Sequence, residues 1–248
     1  MKQSIFKIVE NTPLTKSVYR MRLVGDTSDI TAAGQFVNIK LDGLFLRRPI
    51  SVCDLEGDTL TLVYKVVGHG TEAMAKMTDG ELDILTGLGN GYDLSKSGDA
   101  PVLVGGGVGV PPLYLLCRRL LAEGKHPTVI LGFNTKAEIF YEEEFCALGV
   151  KVSVATVDGS YGTKGFVTDC LGLDAHKGAS YFYTCGPEPM LKALFYATPY
   201  SGQLSFEERM GCGFGACMGC SCQTITGYKR ICKEGPVMEK EELLWNAN

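Results

Sequence analysis

Half of the ten cysteines in this 248-residue chain lie within 21 residues near its C-terminus. Four of them follow the spacing C-x4-C-x2-C with one more cysteine downstream, and glycines alternate with them. This spacing is typical of plant-type [2Fe–2S] centres, in which four thiolates hold two irons. The interleaved glycines allow the backbone to wrap closely and to aim N–H groups at the sulfurs. The predicted cluster ligands are Cys212, Cys217, Cys220 and Cys232.

A structural zinc site is the alternative for the same cysteines. Zinc sites usually combine paired C-x2-4-C knuckles, and only Cys217 and Cys220 form such a pair here. The fifth cysteine, Cys222, is separated from Cys220 by one residue, and we predict that it is not a ligand. The zinc interpretation describes a nucleotide-binding scaffold without redox turnover, and such a protein would be colourless.

A glycine loop follows a predicted strand at residues 102–104 and leads into a helix predicted to begin at Pro112. Gly107 and Gly109 allow phosphates to approach the backbone, and a helix N-terminus adds N–H donors and a positive dipole end. Cys185-Gly186-Pro187 ends another predicted strand, where open α/β sheets bind ligands. A structural turn and a small buried cysteine are the alternatives. Together the two motifs predict a nucleotide site.

Two N-terminal segments carry residues that suit a ligand with a flat ring and phosphates. Arg48 can neutralise a pyrophosphate, and Ser51 can hydrogen-bond a ring or a phosphate. The turn at residues 68–71 offers a second phosphate contact before a predicted helix. The strand between them would present the backbone and side chains of residues 63–65 to the ring. Taken alone, adjacent arginines more often form a solvated surface.

Three predicted units position these motifs. Residues 1–98 contain short strands separated by turn residues, which predicts a small antiparallel β-barrel. Residues 99–201 alternate strands and helices, one of them predicted over residues 136–148, which indicates a doubly wound parallel α/β domain. Residues 202–248 are too few for a core of their own, so something besides hydrophobic burial must hold them.

Composition excludes several classes of protein. With 24 basic and 28 acidic residues, the net charge of −4 argues against a nucleic-acid-binding surface. Hydrophobic residues make up 45%, as in globular domains. The 18 uncharged residues from Ala100 to Cys117 contain four glycines and three prolines, which argues against a membrane span. No secretory signal is visible, so we expect a cytoplasmic protein with reduced cysteines. Neither a Ser-His-Asp order nor H-E-x-x-H is present, and we name no catalytic residue.

The barrel motifs R-P-I-S and G-x-G-T, with G-G-G-V-G-x-P-P and C-G-P in the second unit, resemble the ferredoxin–NADP reductase superfamily. The cysteine tail narrows this likeness. With it, the whole chain resembles the electron transfer subunits of bacterial class 1B dihydroorotate dehydrogenases. The fifth cysteine and Met238 depart from the usual pattern of that tail. The resemblance implies FAD on the barrel, NAD on the α/β domain and a [2Fe–2S] cluster on the tail.

The resemblance also implies site residues and partners. The implied FAD contacts are Arg48, Pro49, Ile50, Ser51, Val63, Tyr64, Lys65, Gly70 and Thr71. The NAD contacts match by position and are Gly105, Gly106, Gly107, Gly109, Cys185, Gly186 and Pro187. An FMN-containing catalytic subunit would oxidise dihydroorotate in pyrimidine biosynthesis, within a heterotetramer of two of each subunit. Because a flavin exchanges both hydride pairs and single electrons, the expected path runs from FMN through the cluster and FAD to NAD⁺. A reductase module of a hydrogenase or a sulfur reductase is the alternative.

Overall fold

The computed structural model describes residues 1–173 and 176–245. Its N-terminal part is a closed barrel of six antiparallel strands in the order β1-β2-β5-β4-β3-β6, which confirms the predicted barrel. One short helix, α1, follows the fifth strand. The elements are β1 Lys2–Pro13, β2 Val18–Val24, β3 Phe36–Ile39, β4 Arg48–Glu56, β5 Thr59–Lys65, α1 His69–Ala75 and β6 Glu81–Leu88.

The barrel forms because its strands alternate between apolar and polar side chains. In β6, Leu82, Ile84 and Leu88 are buried, whereas the residues between them are half-buried or polar. Such alternation places one face of each strand in the core and leaves the other partly solvated. Asp83, on the outer face, forms an ion pair with Arg47 at 3.0 Å between Nη2 and Oδ1.

The second part is a seven-stranded sheet in the order β10-β9-β8-β7-β11-β12-β15, parallel from β10 to β12. Strand β7 lies between β8 and β11, so the chain order reverses at this point and the sheet is doubly wound. This confirms the predicted α/β class. The elements are β7 Val102–Gly106, α2 Pro111–Ala122, β8 Thr128–Phe133, α3 Glu142–Ala147, β9 Lys151–Thr156, β10 Thr163–Lys164, α4 Val167–Cys170, β11 Phe182–Cys185, α5 Glu188–Ala197 and β12 Gly202–Ser205.

The helix predicted over residues 136–148 is wrong in its first half. The structure has a 3₁₀ turn at Lys136–Glu138 and then α3, with Tyr141 between them in the left-handed region at φ 67°. Phe140 and Tyr141 are buried and pack against Phe133 and Tyr114. The helical periodicity is outweighed here by burial of this aromatic pair, with Tyr141 in a backbone conformation that a right-handed helix does not contain.

The C-terminal part is held by the same sheet and by the barrel. It comprises the hairpin β13 Ser221–Thr224 and β14 Gly227–Arg230, followed by β15 Val237–Glu239, which pairs antiparallel with β12. Ile231 and Met238 are buried in one cluster with Phe36 and Leu88 of the barrel. Hydrophobic burial therefore contributes to anchoring residues 202–245. Within the described part of the chain, no helix is both long and apolar enough to cross a membrane.

Candidate redox site

The four cysteines of the C-terminal motif lie together as two pairs. The backbone N–H groups of Ala216 and Cys217 donate to Cys212 Sγ at 3.2 and 3.4 Å. The N–H of Cys232 donates to Cys220 Sγ at 3.4 Å. Cys220 and Cys232 are buried, whereas Cys217 is exposed. Hydrogen bonds of this kind orient thiolate ligands and tune the potential of the metal that they bind.

The surroundings of Cys212 and Cys232 give these two thiols different pKa values. Burial opposes ionisation of Cys212, but backbone donors at Phe214, Cys217 and Ala216 lower its pKa to about 6. Burial, with the sulfurs of Cys220 and Cys212 nearby, raises the pKa of Cys232 to about 12. Metal ligation requires thiolates, so cluster assembly must release the proton that the raised pKa keeps on Cys232.

The number of cysteines in this region matches a two-iron cluster. Among residues 1–173 and 176–245, no three His, Cys, Asp or Glu side chains form a group that would hold a single metal ion. Four neighbouring cysteines match the ligand number of a [2Fe–2S] centre, which takes four thiolates over two irons. Residues 212–220, which we call the cysteine loop, therefore lie together with Cys232 as the predicted ligand set requires.

Residues that were not identified from the sequence shape the cysteine loop. Arg230 Nη1 donates to the Gly215 carbonyl at 2.6 Å, and its guanidinium also pairs with Glu234. On the barrel side, Asn38 Nδ2 donates to the Cys212 carbonyl at 3.3 Å. Arg230 and Glu234 stand four residues apart around Cys232, a spacing that the sequence shows. Nothing in the sequence of β3 indicates the contact of Asn38.

The predicted nucleotide residues meet at the point where the order of the sheet reverses. Gly105 of β7 stands opposite Cys185 of β11 in the parallel ladder. A Cβ at Gly109 would overlap the Cys185 carbonyl, so only glycine permits this approach of the two loops. Open α/β sheets bind ligands at this crevice, outside the carboxyl ends of the strands. The structure thus brings the glycine loop and the Cys-Gly-Pro turn together.

Two details of this crevice modify the expectation. Helix α2 begins with Pro111 and Pro112, which have no N–H, so its first turn offers fewer phosphate donors than predicted. Burial raises the pKa of Cys185 to about 12, so its thiol is neutral and can contact a flat ring without acting as a nucleophile.

The two adjacent arginines of the barrel have different environments. Arg47 is tied to Asp83 and also donates to the Asn38 carbonyl at 3.2 Å, which is a structural role. Arg48 bonds the Leu46 carbonyl and packs over Gly70, where a Cβ would overlap its guanidinium. Arg48 and the turn at Gly70 therefore lie together, as a phosphate site requires.

The remaining barrel residues differ in what they can offer a ligand. Thr71 Oγ1 accepts from Val67 N at 2.9 Å and closes the turn before α1. Pro49, Ile50 and Ser51 follow Arg48 along β4 and are half-buried. Tyr64 is 2% exposed, and its hydroxyl donates to Asn11 Oδ1 at 3.0 Å. Val63 is also buried, whereas the Lys65 side chain is exposed.

Comparison with known proteins agrees with this architecture. Residues 207–244 match the iron-sulfur cluster binding domain of dihydroorotate dehydrogenase B, and residues 103–195 match the oxidoreductase NAD-binding domain. The chain is 44% identical to the dihydroorotate dehydrogenase B (NAD(+)) electron transfer subunit of Geobacillus sp. (strain WCH70), over 98% of this chain and 99% of that protein. It is 45% identical to the subunit of that name from Fusobacterium nucleatum subsp. nucleatum, over 93% and 94% of the two chains.

Solved structures show the same fold. An NADH-dependent reduced ferredoxin-NADP oxidoreductase superposes with a TM-score of 0.87 at 28% identity, covering 97% of this chain and 90% of that one. A ferredoxin NADP⁺ reductase from Neisseria gonorrhoeae, with bound FAD and NADP, gives 0.70 at 19% identity, covering 79% and 90%.

The barrel, the doubly wound sheet and the cysteine loop define a flavin- and iron–sulfur-dependent reductase of the ferredoxin–NADP reductase type. Its function is electron transfer, and its cofactors are FAD, NAD and an iron–sulfur cluster. The near full-length identity is more specific. The chain belongs to the family of dihydroorotate dehydrogenase B (NAD⁺) electron transfer subunits.

Proposed function

We propose that this chain carries electrons between NAD⁺ and a partner subunit, and that the partner oxidises dihydroorotate. The observation that carries the proposal is the contact between the cysteine loop and the barrel, where Asn38 Nδ2 donates a hydrogen bond to the Cys212 carbonyl. The full-length relationship to subunits named for this reaction supports it. The bound FAD supplies the exchange between hydride transfer at nicotinamide and single-electron transfer at an iron–sulfur cluster.

Each group of residues has a separate task in this proposal. Arg48 neutralises the pyrophosphate of FAD, Gly70 and Thr71 turn the chain around it, and the remaining barrel contacts orient the ring. The glycine loop and the Cys-Gly-Pro turn hold NAD in the crevice between β7 and β11. The four paired cysteines hold the cluster. The proposed residues are Arg48, Pro49, Ile50, Ser51, Val63, Tyr64, Lys65, Gly70 and Thr71 for FAD; Gly105, Gly106, Gly107, Gly109, Cys185, Gly186 and Pro187 for NAD; and Cys212, Cys217, Cys220 and Cys232 for [2Fe–2S].

The division into units at residues 1–98, 99–201 and 202–248 is part of the proposal, with one binding site in each unit. Strands β12 and β15 join the third unit to the sheet of the second. This shared sheet gives the cysteine loop a rigid base beside the nucleotide crevice. Rigid elements hold a site more precisely than loops do.

The proposed partner is an FMN-containing catalytic subunit, two copies of which assemble with two copies of this chain in the cytoplasm. The relatives' name, electron transfer subunit, supports the existence of such a partner. Phe214 and Met218 are 42% and 54% exposed on the cysteine loop itself. Exposed apolar side chains beside a redox centre suit a protein that docks there.

Another redox partner, such as a hydrogenase or a sulfur reductase, is the second candidate. The 28% identity over 97% of this chain to an NADH-dependent ferredoxin-NADP oxidoreductase favours it. Anaerobic co-purification of the native complex, followed by addition of dihydroorotate and NAD⁺, separates the two candidates. We expect orotate and NADH to form in equal amounts. Reduction of NAD⁺ by another donor, with no orotate formed, would contradict the proposed partner.

A further inference from the structure

Asn38 joins the barrel to the cysteine loop at a buried position. It lies on β3 opposite Pro49 of β4, and paired residues of antiparallel strands present their side chains on the same face. Asn38 is 1% exposed, and Nδ2 donates to the Cys212 carbonyl, 174 residues further along the chain. Gly213 covers the amide with φ +77°, and a Cβ there would overlap Nδ2.

The other half of this amide has no partner. Among the side chains of residues 1–173 and 176–245, Asn38 Oδ1 is the only buried nitrogen or oxygen atom without a hydrogen bond. Exchanging the two amide atoms does not help, because the oxygen would then face the Cys212 carbonyl and the NH₂ group would lose its acceptor. A buried carbonyl oxygen without a donor is costly, so a bound group is expected to supply one.

The position of the amide is fixed in advance. Arg47 donates to the Asn38 carbonyl at 3.2 Å and pairs with Asp83 at 3.0 Å, which links β3 to β6 at Asn38. The Asn38 side chain is therefore held in a fixed position between the proposed flavin contact Pro49 and the proposed cluster ligand Cys212. Preorganised groups of this kind act on a cofactor without a reorganisation cost.

We propose that Asn38 is a positioning residue that couples the flavin site to the cluster loop. Oδ1 accepts a hydrogen bond from an N–H or O–H of the bound flavin, while Nδ2 holds the Cys212 carbonyl. The flavin is the expected donor because Asn38 shares a face with Pro49 in the segment proposed for FAD. This inference rests on the proposed function, since it assumes that both groups bind where proposed.

The test uses the full chain with its cofactors and three variants. Asn38→Leu removes both polar atoms at similar volume, and Asn38→Asp keeps the acceptor but replaces the donor. The matched control is Asn90→Leu, because Asn90 also joins the barrel to the C-terminal part, with Nδ2 on the Val237 carbonyl at 2.7 Å and Oδ1 on Val237 N at 3.1 Å. The measurements are the FAD dissociation constant, the electron paramagnetic resonance spectrum and midpoint potential of the cluster, and the melting temperature.

We expect Asn38→Leu to weaken FAD binding about tenfold, the loss of one good hydrogen bond to a buried group. The cluster potential should shift as well. Asn38→Asp should keep FAD affinity within about threefold of wild type but still shift the cluster signal. Asn90→Leu should lower the melting temperature and leave FAD affinity and the cluster signal unchanged.

The inference would be overturned if Asn38→Leu kept its FAD affinity within about twofold of wild type and left the cluster signal unchanged. If Asn38→Leu does not fold, Gly213→Ala decides, because its added Cβ displaces the amide while Asn38 remains. An unchanged cluster signal in Gly213→Ala would then overturn it. Failure of the proposed function would be distinct, since wild-type protein would then lack FAD or the cluster.

Discussion

The nucleotide crevice and the cysteine loop are organised by different forces. The crevice stands on seven hydrogen-bonded strands, and the residues of β7 are all buried. The cysteine loop is followed by a hairpin of two four-residue strands and is held by Arg230, Asn38 and a few N–H to sulfur bonds. Burial and sheet pairing shape the first site before any ligand binds. The second site has fewer such contacts, so we expect metal binding to contribute more to its stability.

We expect the largest effect confined to one of the two regions from the variant Cys217→Ser. Loss of one exposed ligand should remove the cluster, while the barrel and the sheet stay folded and NADH still bleaches the flavin. Iron content and electron paramagnetic resonance measure the first effect, and stopped-flow absorbance measures the second. Cys146→Ser, at an exposed cysteine of α3, is the control. An intact cluster signal in Cys217→Ser would refute the ligand assignment.

We expect the opposite result, a damaged nucleotide crevice with an intact cluster, from the variant Gly109→Ala. The added Cβ overlaps the Cys185 carbonyl and should open the crevice, raising KM for NADH at least about tenfold while iron content stays unchanged. Gly172→Ala is the matched control, because a Cβ there meets nothing within 4 Å. Unchanged NADH kinetics in Gly109→Ala would show that this loop is not part of the nucleotide site.

A smaller effect is expected in the barrel from Arg48→Ala. Removing the guanidinium beside Gly70 should weaken FAD binding about tenfold, or ~1.4 kcal/mol, with the NADH site and the cluster unaffected. Flavin release followed by fluorescence measures it. Arg22→Ala, which removes an arginine that pairs with Glu10 and Glu56 on the barrel surface, should retain FAD. Equal FAD affinity in both variants would remove Arg48 from the proposed contacts.

The smallest effect concerns the support of the barrel beneath the cysteine loop. Burial opposes ionisation of Asp83, but Arg47 outweighs it and lowers the carboxyl pKa below its usual range. The stabilisation is therefore fully present above about pH 4 and declines as the pH falls through the lowered pKa. Asp83→Asn should reduce the free energy of unfolding by about 1 kcal/mol at pH 7, a modest value because the pair is partly exposed.

Urea unfolding of wild type and Asp83→Asn at pH 7, 5 and 3 checks this expectation. The difference between the two proteins should be the same at pH 7 and 5 and smaller at pH 3. A difference that grows as the pH falls would contradict the assigned role of the ion pair.

The same contrast explains what could be predicted from the sequence. The spacing of Cys212, Cys217 and Cys220 is local, so it located a loop that the structure brings together with Cys232. The helix predicted over residues 136–148 failed because the burial of Tyr141 is a tertiary effect. Strand β15 has three residues, too short for a periodic signal, and its pairing with β12 is visible only in the fold.

Asn38 illustrates the largest gap. An asparagine in a buried strand has no local signature of function, and its unpaired oxygen exists only because residues 38 and 212 meet in space. This contact joins two segments that are distant in the sequence, and a sequence motif does not encode it.

One measurement tests the central claim most directly. Anaerobically purified chain, titrated with NADH, is followed by optical absorbance and electron paramagnetic resonance, with iron and flavin determined on the same sample. The account predicts about two irons and about one FAD per chain, bleaching of the flavin and then a paramagnetic signal from the reduced cluster. A colourless protein that contains zinc, binds no flavin and gives no signal with NADH would contradict it.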